Sequence, residues 1–599
     1  MKKIFLLFLL AVAIFVAYAP ALRDGFVWDD TALVSRDPLI RSWRLIPEGF
    51  QHFLFTDATA SDFYRPLQRF SYTFDYAAFH FRPSGYHFTS IACHIAAAIA
   101  LYFFALELLS FFKGTARFRP WVPFVGALAW ALHPLQTSAV AYISGRADPL
   151  AAAFGFLGLY LALRSLRTNG FAVWALQVGA GAALLLSGLS KEAGLIFLAV
   201  GLVLLSLLRN WKATMRFSVI ALFVFVSYFS LRLSAEHFPA PRLKPPAPLL
   251  ARPILIARAL AEYSELLVLP IHLRMDRDVE TQSHGFGNNG MTIAARKELQ
   301  TLAGLIILAA LAFWIYRERK RDPAVFACLI VALVCYLPVS GIIPLNATVA
   351  EHWLYLPSAF LFLALGLVAV RFANSPQVWR RRLVLSAATG WILFLAGRTF
   401  LRTFDWKDQR TFLERTIAEG SDSVRMLINL GGLELSEGHL DLAKKHLTAA
   451  LEREPDQPLA VINLASVALK QNDSATARDL LKRAKEMPLV EAQAHEMAAI
   501  LESKETGKVN PTRFHLAART GAPNWAIEKR YIKVLAETAT LDAAIAELRH
   551  CLTSQWYRAD SWLLLAGLEK KHGNEAEAEK ALARAHELDV HLSGDAPAL

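Results

Sequence analysis

Residues 2–20 read KKIFLLFLLAVAIFVAYAP: two lysines, then an unbroken apolar run to Ala19, closed by a proline. A run of this length and apolarity can cross the ~30 Å hydrocarbon core of a bilayer as one helix. Ala17-Tyr18-Ala19 imitates a signal-peptidase site, but Pro20 directly after it disfavours cleavage, so the segment reads as a retained first span. Runs of the same kind recur, centred near residues 100, 130, 156, 180, 200, 225, 308, 333, 361 and 391, for about eleven spans. Hydrophobic residues make up 55% of the 599-residue chain, above the range of soluble domains, and the excess lies before residue 402. The expected architecture is therefore all-α: a polytopic membrane helix bundle over residues 1–401, with a long first loop at 21–87, then a soluble helical tail at 402–599. Cys93, Cys328, Cys335 and Cys551 form no CxxC or paired spacing, which excludes a disulfide framework and a thiolate metal site.

Charge sets the expected orientation. The net charge of +12 would suggest nucleic acid as partner for a soluble chain. Here the basic residues collect in alternate connections: Lys2 and Lys3; Lys113, Arg117 and Arg119; Arg164 and Arg167; Arg209, Lys212 and Arg216; Arg317, Arg319, Lys320 and Arg321; Arg371 and Arg380 to Arg382. Those six segments hold 18 basic residues against only Glu318 and Asp322, a net of +16 that leaves −4 for the rest of the chain. By the positive-inside rule they are cytoplasmic, which puts the tail outside. The apolar segment Ile254 to Ile271 would break this scheme if it spanned, and it carries Arg258, Glu262 and Glu265 on one helical face. It is expected to lie at the outer interface, behind a stiff lead-in containing Pro239, Pro241, Pro245, Pro246 and Pro248.

The tail is self-similar. Asn429-Leu430 recurs as Asn463-Leu464, Ala443 as Ala477 and Ala450 as Ala484, each 34 residues on. Leu565, Gly573, Ala578 and Ala585 repeat Leu430, Gly438, Ala443 and Ala450 at a shift of 135, close to four periods. Small residues at these places let paired helices approach closely, as in the tetratricopeptide repeat, whose stacked hairpins present a concave surface to a peptide or protein partner. Between about Pro488 and His550 the pattern degenerates and leaves the number of repeats open.

Charged groups at membrane depth are costly and usually functional. On the charge-derived topology the polar clusters all fall outside: Trp28-Asp29-Asp30 and Asp62-Phe63-Tyr64-Arg65-Pro66 in the first loop, His133 past the third span, Arg146 and Asp148, Lys191-Glu192 between the fifth and sixth spans, and Glu351-His352-Trp353-Leu354-Tyr355 opening the tenth. Each has a plainer alternative: a helix cap for Asp29-Asp30, a lipid anchor for Arg65, a local ion pair for Arg146 and Asp148, the aromatic belt for Trp353 and Tyr355. Their convergence on one face points to an outward-facing site. Carboxylates and cations gathered there suit transfer of a sugar from a lipid-linked phosphate. The acceptor hydroxyl needs a general base, for which Asp29 and Asp30 are the candidates. The leaving polyprenyl phosphate gains charge that Arg65, Arg146, Lys191 and His352 could stabilise. His133, Asp148, Glu192, Glu351 and Tyr355 complete the expected donor- or substrate-binding set. No cluster has metal-ligand spacing, and no resident cofactor is read from the sequence beyond the donor substrate.

The strings FVWDD, SDFYRPLQRFSYTFDY, GYHFTSIACHIAAAIALY, HPLQTSAVAYISGRADPLAAAF, LSKEAG and EHWLYLPS, in this order and followed by the repeats, resemble the transmembrane and tetratricopeptide-repeat O-mannosyltransferase family and its bacterial relatives. The resemblance covers nearly the whole chain. It implies a GT-C-class membrane fold, a polyprenyl-phosphate donor carrying mannose or a similar hexose, a protein hydroxyl as acceptor, and an inverting single displacement with a first-loop carboxylate, Asp29 or Asp30, as base. Gln136, Ser138 and His352 depart from the family's usual pattern, which bears on acceptor and sugar more than on reaction class. Two other function classes compete: a non-catalytic membrane scaffold whose repeats recruit partners, and a transporter of lipid-linked saccharide. Transport would spread polar residues along a path through the bilayer, whereas these gather on one face. Short loops and a compact tail point to a bacterial inner membrane.

Overall fold

The computed structural model describes residues 2–56, 61–113, 120–236, 248–275, 277, 279, 288–343, 345, 348–374, 376–420 and 423–592. Arg117, Arg119 and the prolines at 239, 241, 245 and 246 lie outside them. The fold is all-α, a polytopic helical membrane bundle followed by a tetratricopeptide solenoid. Eight helices among the described residues are long and apolar enough to cross a bilayer, the first being Lys3–Arg23 and the last Val378–Trp406. Three shorter apolar helices, Trp121–Ala131, Glu192–Leu207 and Pro323–Val339, fall where the remaining spans are expected. The helix Arg252–Val268 is not among these spans. It packs tightly on Asn288–Arg321: a Cβ on Gly304 would stand 1.8 Å from the Ala257 carbonyl oxygen, so the two backbones touch where only glycine fits.

By compactness the chain divides into two units that do not follow its linear order. One comprises Met1–Val27, Pro83–Leu233 and Pro245–Asp422. Its core threads Leu10, Ile14, Leu101, Trp130, Phe156, Phe197 and Phe360 through the bundle, each wholly buried. The two acidic residues of the basic connections have a structural use. Arg371 grips Glu318 at 3.1 and 2.9 Å and Asp322 at 2.9 Å, and Asp322 also caps the helix Pro323–Tyr336 through the Ala324 and Val325 amides.

The other unit comprises Trp28–Arg82, Ser234–Lys244 and Ser423–Leu599, so the first loop clusters with the repeats. Five helical hairpins run from Val424–Glu437 with Leu440–Arg453 to Ala559–His572 with Glu575–Leu588. The 34-residue period has a backbone cause. Gly438 at φ +86° and Gly573 at φ +89° end helices in left-handed caps, where the His439 amide reaches the Glu434 carbonyl and the Asn574 amide reaches that of Glu569, each at 2.9 Å. Asn472, at φ +60°, takes the glycine's place in the second repeat, with Asp473 bonded to Ala468 at 2.9 Å. In the first loop, the guanidinium of Arg69 on the helix Pro66–Phe79 pairs with Asp37 at 2.9 Å and gives its other nitrogens to the carbonyls of Gly49, His52, Phe53 and Leu54 at 2.7 to 3.1 Å. Both charges are 2% exposed. A buried ion left without its partner costs on the order of 3–5 kcal/mol, so one arginine gathers the loop around itself.

Candidate active site

In the bundle unit the candidate residues form three groups, with His133 apart from them. The first is built on two tight turns. A Cβ on Gly145 would lie 2.3 Å from the Ser138 carbonyl, and one on Gly194 would lie 2.3 Å from that of Ser187. Glycine at both places lets the turns that carry Arg146 and Lys191-Glu192 lie close against neighbouring backbone. Lys191 Nζ donates to both carboxylate oxygens of Asp148 at 2.7 Å, at side-chain exposures of 13% and 7%. Arg146, wholly buried, donates Nε to Ser90 Oγ at 3.0 Å and a terminal nitrogen to the Tyr86 carbonyl at 2.6 Å. Glu192 lies 3.9 Å from Arg232 and is half-buried. Segments far apart in sequence thus put two cations, Arg146 and Lys191, and two carboxylates, Asp148 and Glu192, at neighbouring helix starts.

The second group surrounds Glu351, which is fully buried and 3.5 Å from Arg402; the same guanidinium donates to Asp405 at 2.8 Å. Arg402, read from the sequence as the start of the tail, belongs instead to the last bundle helix, Val378–Thr403. His352 is half-buried beside Trp353.

The third group is the fully buried Tyr355. Its hydroxyl meets His94 Nδ1 at 2.6 Å and its carbonyl accepts from Trp130 Nε1 at 2.8 Å. Because His94 Nε2 faces the Ala131 carbonyl at 3.1 Å and must donate, Nδ1 is the acceptor of the Tyr355 O–H. Tyr355 is therefore an interior residue of the bundle, not part of an aromatic belt.

His133 is also interior. Nδ1 accepts from the Leu135 amide at 3.2 Å, Nε2 donates to the Leu267 carbonyl at 3.1 Å, and the ring stacks on Phe362. Burial pushes its imidazole down to about 4 against the opposing pull of that carbonyl, so the ring is neutral and committed on both nitrogens. Gln136 and Ser138, the departures noted above, are buried as well: Gln136 donates to Ser358 and Ser138 to the Leu135 carbonyl, each at 3.2 Å.

Asp24, which sequence reasoning passed over, is 4% exposed. Burial and the Asp408 carboxylate raise its carboxyl to about 7, opposed by Lys407. The Gly25 amide bonds the Lys407 carbonyl at 2.8 Å. The signal for Asp24 in the sequence is an aspartate directly after a span, five residues before the more conspicuous Asp29-Asp30. His94 likewise stood in the motif GYHFTSIACHI, seven residues after His87 and so on its helical face.

In the other unit, Asp30 is fully buried and Asp29 half-buried, on a helical turn that leads into Thr31–Ser35. Trp28 before them has φ +50°, a conformation rare for a bulky residue. Arg65 is half-buried at the start of Pro66–Phe79 with its guanidinium 4.5 Å from the Phe63 ring centroid. One trio among the described residues has metal-ligand proximity, Glu434, Glu437 and His439; it lies at a helix C-terminus, where His439 pairs with Glu434 at 2.8 Å.

Residues 434–501 match the tetratricopeptide repeat family. A protein O-mannosyl-transferase of Caenorhabditis elegans is 25% identical over 465 residues, 75% of this chain and 63% of the relative. The Mus musculus protein O-mannosyl-transferase TMTC2 is 30% identical over 192 residues, 31% of this chain and 22% of the relative. The chain therefore spans less than two thirds of the curated relatives it matches. Among solved structures, ArnT from Cupriavidus metallidurans in the apo state is 15% identical, with 83% of this chain and 80% of that one covered and a TM-score of 0.35. The family resemblance seen in the motifs is thus matched by relatives that carry the O-mannosyl-transferase name.

Proposed function

We propose that the chain is a membrane glycosyltransferase that moves mannose or a similar hexose from a polyprenyl-phosphate donor to a hydroxyl of a protein acceptor, inverting the anomeric centre. The observation that carries this reading is the meeting of Lys191 with Asp148, two residues after the buried Arg146, which brings cations from two separate motifs to contacting helix starts. Buried cations held in place before substrate arrives suit a phosphate leaving group whose charge grows in the transition state. Asp29 or Asp30 takes the acceptor proton as its oxygen attacks the anomeric carbon; the carbon–oxygen bond to phosphate breaks, and polyprenyl phosphate leaves. Arg65, Glu192, Glu351 and His352 shape the donor and acceptor sites, while Tyr355 and His133 hold the helices that carry them. The relatives' names favour mannose and a protein acceptor. The charge pattern favours a cytoplasmic N-terminus with the repeats outside, and the short loops and compact tail favour a bacterial inner membrane.

The test is sugar transfer by purified protein from a polyprenyl-phosphate mannose donor to a Ser/Thr-containing protein acceptor. Losing a general base lowers kcat by about 10²- to 10⁴-fold, so Asp29→Asn or Asp30→Asn should fall in that range. Lys191→Met should lose transfer as well. Wild-type rates in both aspartate variants, with the proteins folded, would remove the catalytic assignment.

A further inference from the structure

We infer that the tetratricopeptide array is the positioning frame of the first-loop acidic motif, with Arg425 and Asp589 as positioning residues; the catalytic meaning of this rests on the reading of Asp29 and Asp30 above. The loop is held by both ends of the array. At the far end, Tyr76 of Pro66–Phe79 donates its hydroxyl to Asp589 Oδ1 at 2.7 Å, and the Tyr76 carbonyl is met by His591 Nε2 at 2.8 Å. Ser42 donates to the Glu587 carbonyl at 3.1 Å and the Val590 amide to that of Arg41 at 3.2 Å. Leu39 and Leu45 share a buried apolar cluster with Tyr557, Ala559 and Leu588 of the last hairpin. At the near end, Arg425, one residue into the first repeat helix Val424–Glu437, sets its guanidinium 5.4 Å from the Trp28 ring centroid.

Trp28 decides the matter. A bulky residue at positive φ carries a backbone cost of about 1–3 kcal/mol and keeps that shape only where its surroundings impose it. The residues that follow it are Asp29 and Asp30, so the direction in which the acidic pair leaves the backbone is set by how Trp28 is held. A cation over an indole contributes on the order of 0.5–2 kcal/mol, the same scale as the strain it offsets. A side chain that holds Trp28 belongs to the repeats, 397 residues further along the chain. An array that served only to capture acceptor would need neither this contact nor the four hydrogen bonds at its far end.

The experiment uses the full-length protein and compares Arg425→Ala, Arg425→Lys and Tyr76→Phe with wild type by hydrogen–deuterium exchange and by transfer kinetics. Exchange over residues 29–35 should quicken about tenfold in Arg425→Ala, with the bundle helices unchanged, and return most of the way in Arg425→Lys, which keeps a cation for the ring. Tyr76→Phe, which removes one hydroxyl, should shift exchange over 66–79 in the same direction. Transfer kcat should fall as exchange quickens, while the acceptor KM stays put. Unaltered exchange over 29–35 in Arg425→Ala, or a raised acceptor KM at unchanged kcat, would overturn the frame and make the array a docking arm. If wild-type protein transfers no sugar, the proposed activity fails, and the exchange comparison still decides whether the repeats shape the loop.

Discussion

Asp24 shows how one buried carboxyl can report on the fold. Its Oδ2 meets no hydrogen-bond donor among the described residues, and Asp408 adds like charge, so the protonated form is favoured and the carboxyl rises from 3.8 to about 7. A folded-state value above the unfolded one means that the folded chain binds the proton more tightly. The stability this contributes is fully present below the ordinary carboxyl range and is lost as pH rises from about 4 to about 7. Asp24→Asn should therefore raise the thermal midpoint of the purified protein more at pH 8 than at pH 5.5. An equal shift at both values would show that Asp24 is not the titrating group. His133 makes a contrast at the same scale: with both ring nitrogens bonded inside the protein, it holds a turn and has no proton to give between pH 5 and 8.

Between elements, the controlling residues are glycines at backbone contacts. The helices Arg252–Val268 and Asn288–Arg321 touch at Gly304, where an added methyl group would overlap the Ala257 carbonyl at 1.8 Å. Backbone cannot yield as a side chain does, so Gly304→Ala should cost at least the ~1–3 kcal/mol of ordinary overpacking. Gly390, on Val378–Thr403, has nothing within 4 Å of the same methyl group and is the control. Gly390→Ala should leave the thermal midpoint level or raise it slightly, by the ~0.5–1 kcal/mol of helix propensity. If the two alanines behave alike, the close packing of the first pair is wrong. The repeat helices obey a similar logic through their caps: Gly438, Asn472 and Gly573 share one left-handed turn, kept in the second repeat although asparagine replaces the glycine.

For the molecule as a whole, the basic residues predict the orientation, and the first loop packs with the repeats. A cysteine introduced at Gln457, in the turn before the helix Pro458–Lys470, should react with a membrane-impermeant thiol reagent added from the non-cytoplasmic side. Labelling only after the cytoplasmic face is opened would reverse the orientation and with it the proposed site. Much of this architecture could be read along the chain, because spanning length, basic connections and a 34-residue period are local properties: the run from Ile4 to Ala19 is apolar whatever it packs against. The pairings could not. Lys191 was legible as a polar residue between spans, but its partner Asp148 lies 43 positions away, and which carboxylate meets it depends on how the helices dock. Arg402 reads along the chain as the first residue of a tail, but it stands against the buried Glu351, and Tyr355 reads as interfacial, but its hydroxyl meets the buried His94. Period and hydropathy are summed over neighbours in sequence, so the sequence by itself determined that this protein is a helical membrane bundle with a repeat tail. Burial and charge pairing depend on neighbours in space, so only the tertiary structure decided which nominated residues are interior supports, and that the first loop folds with the repeats.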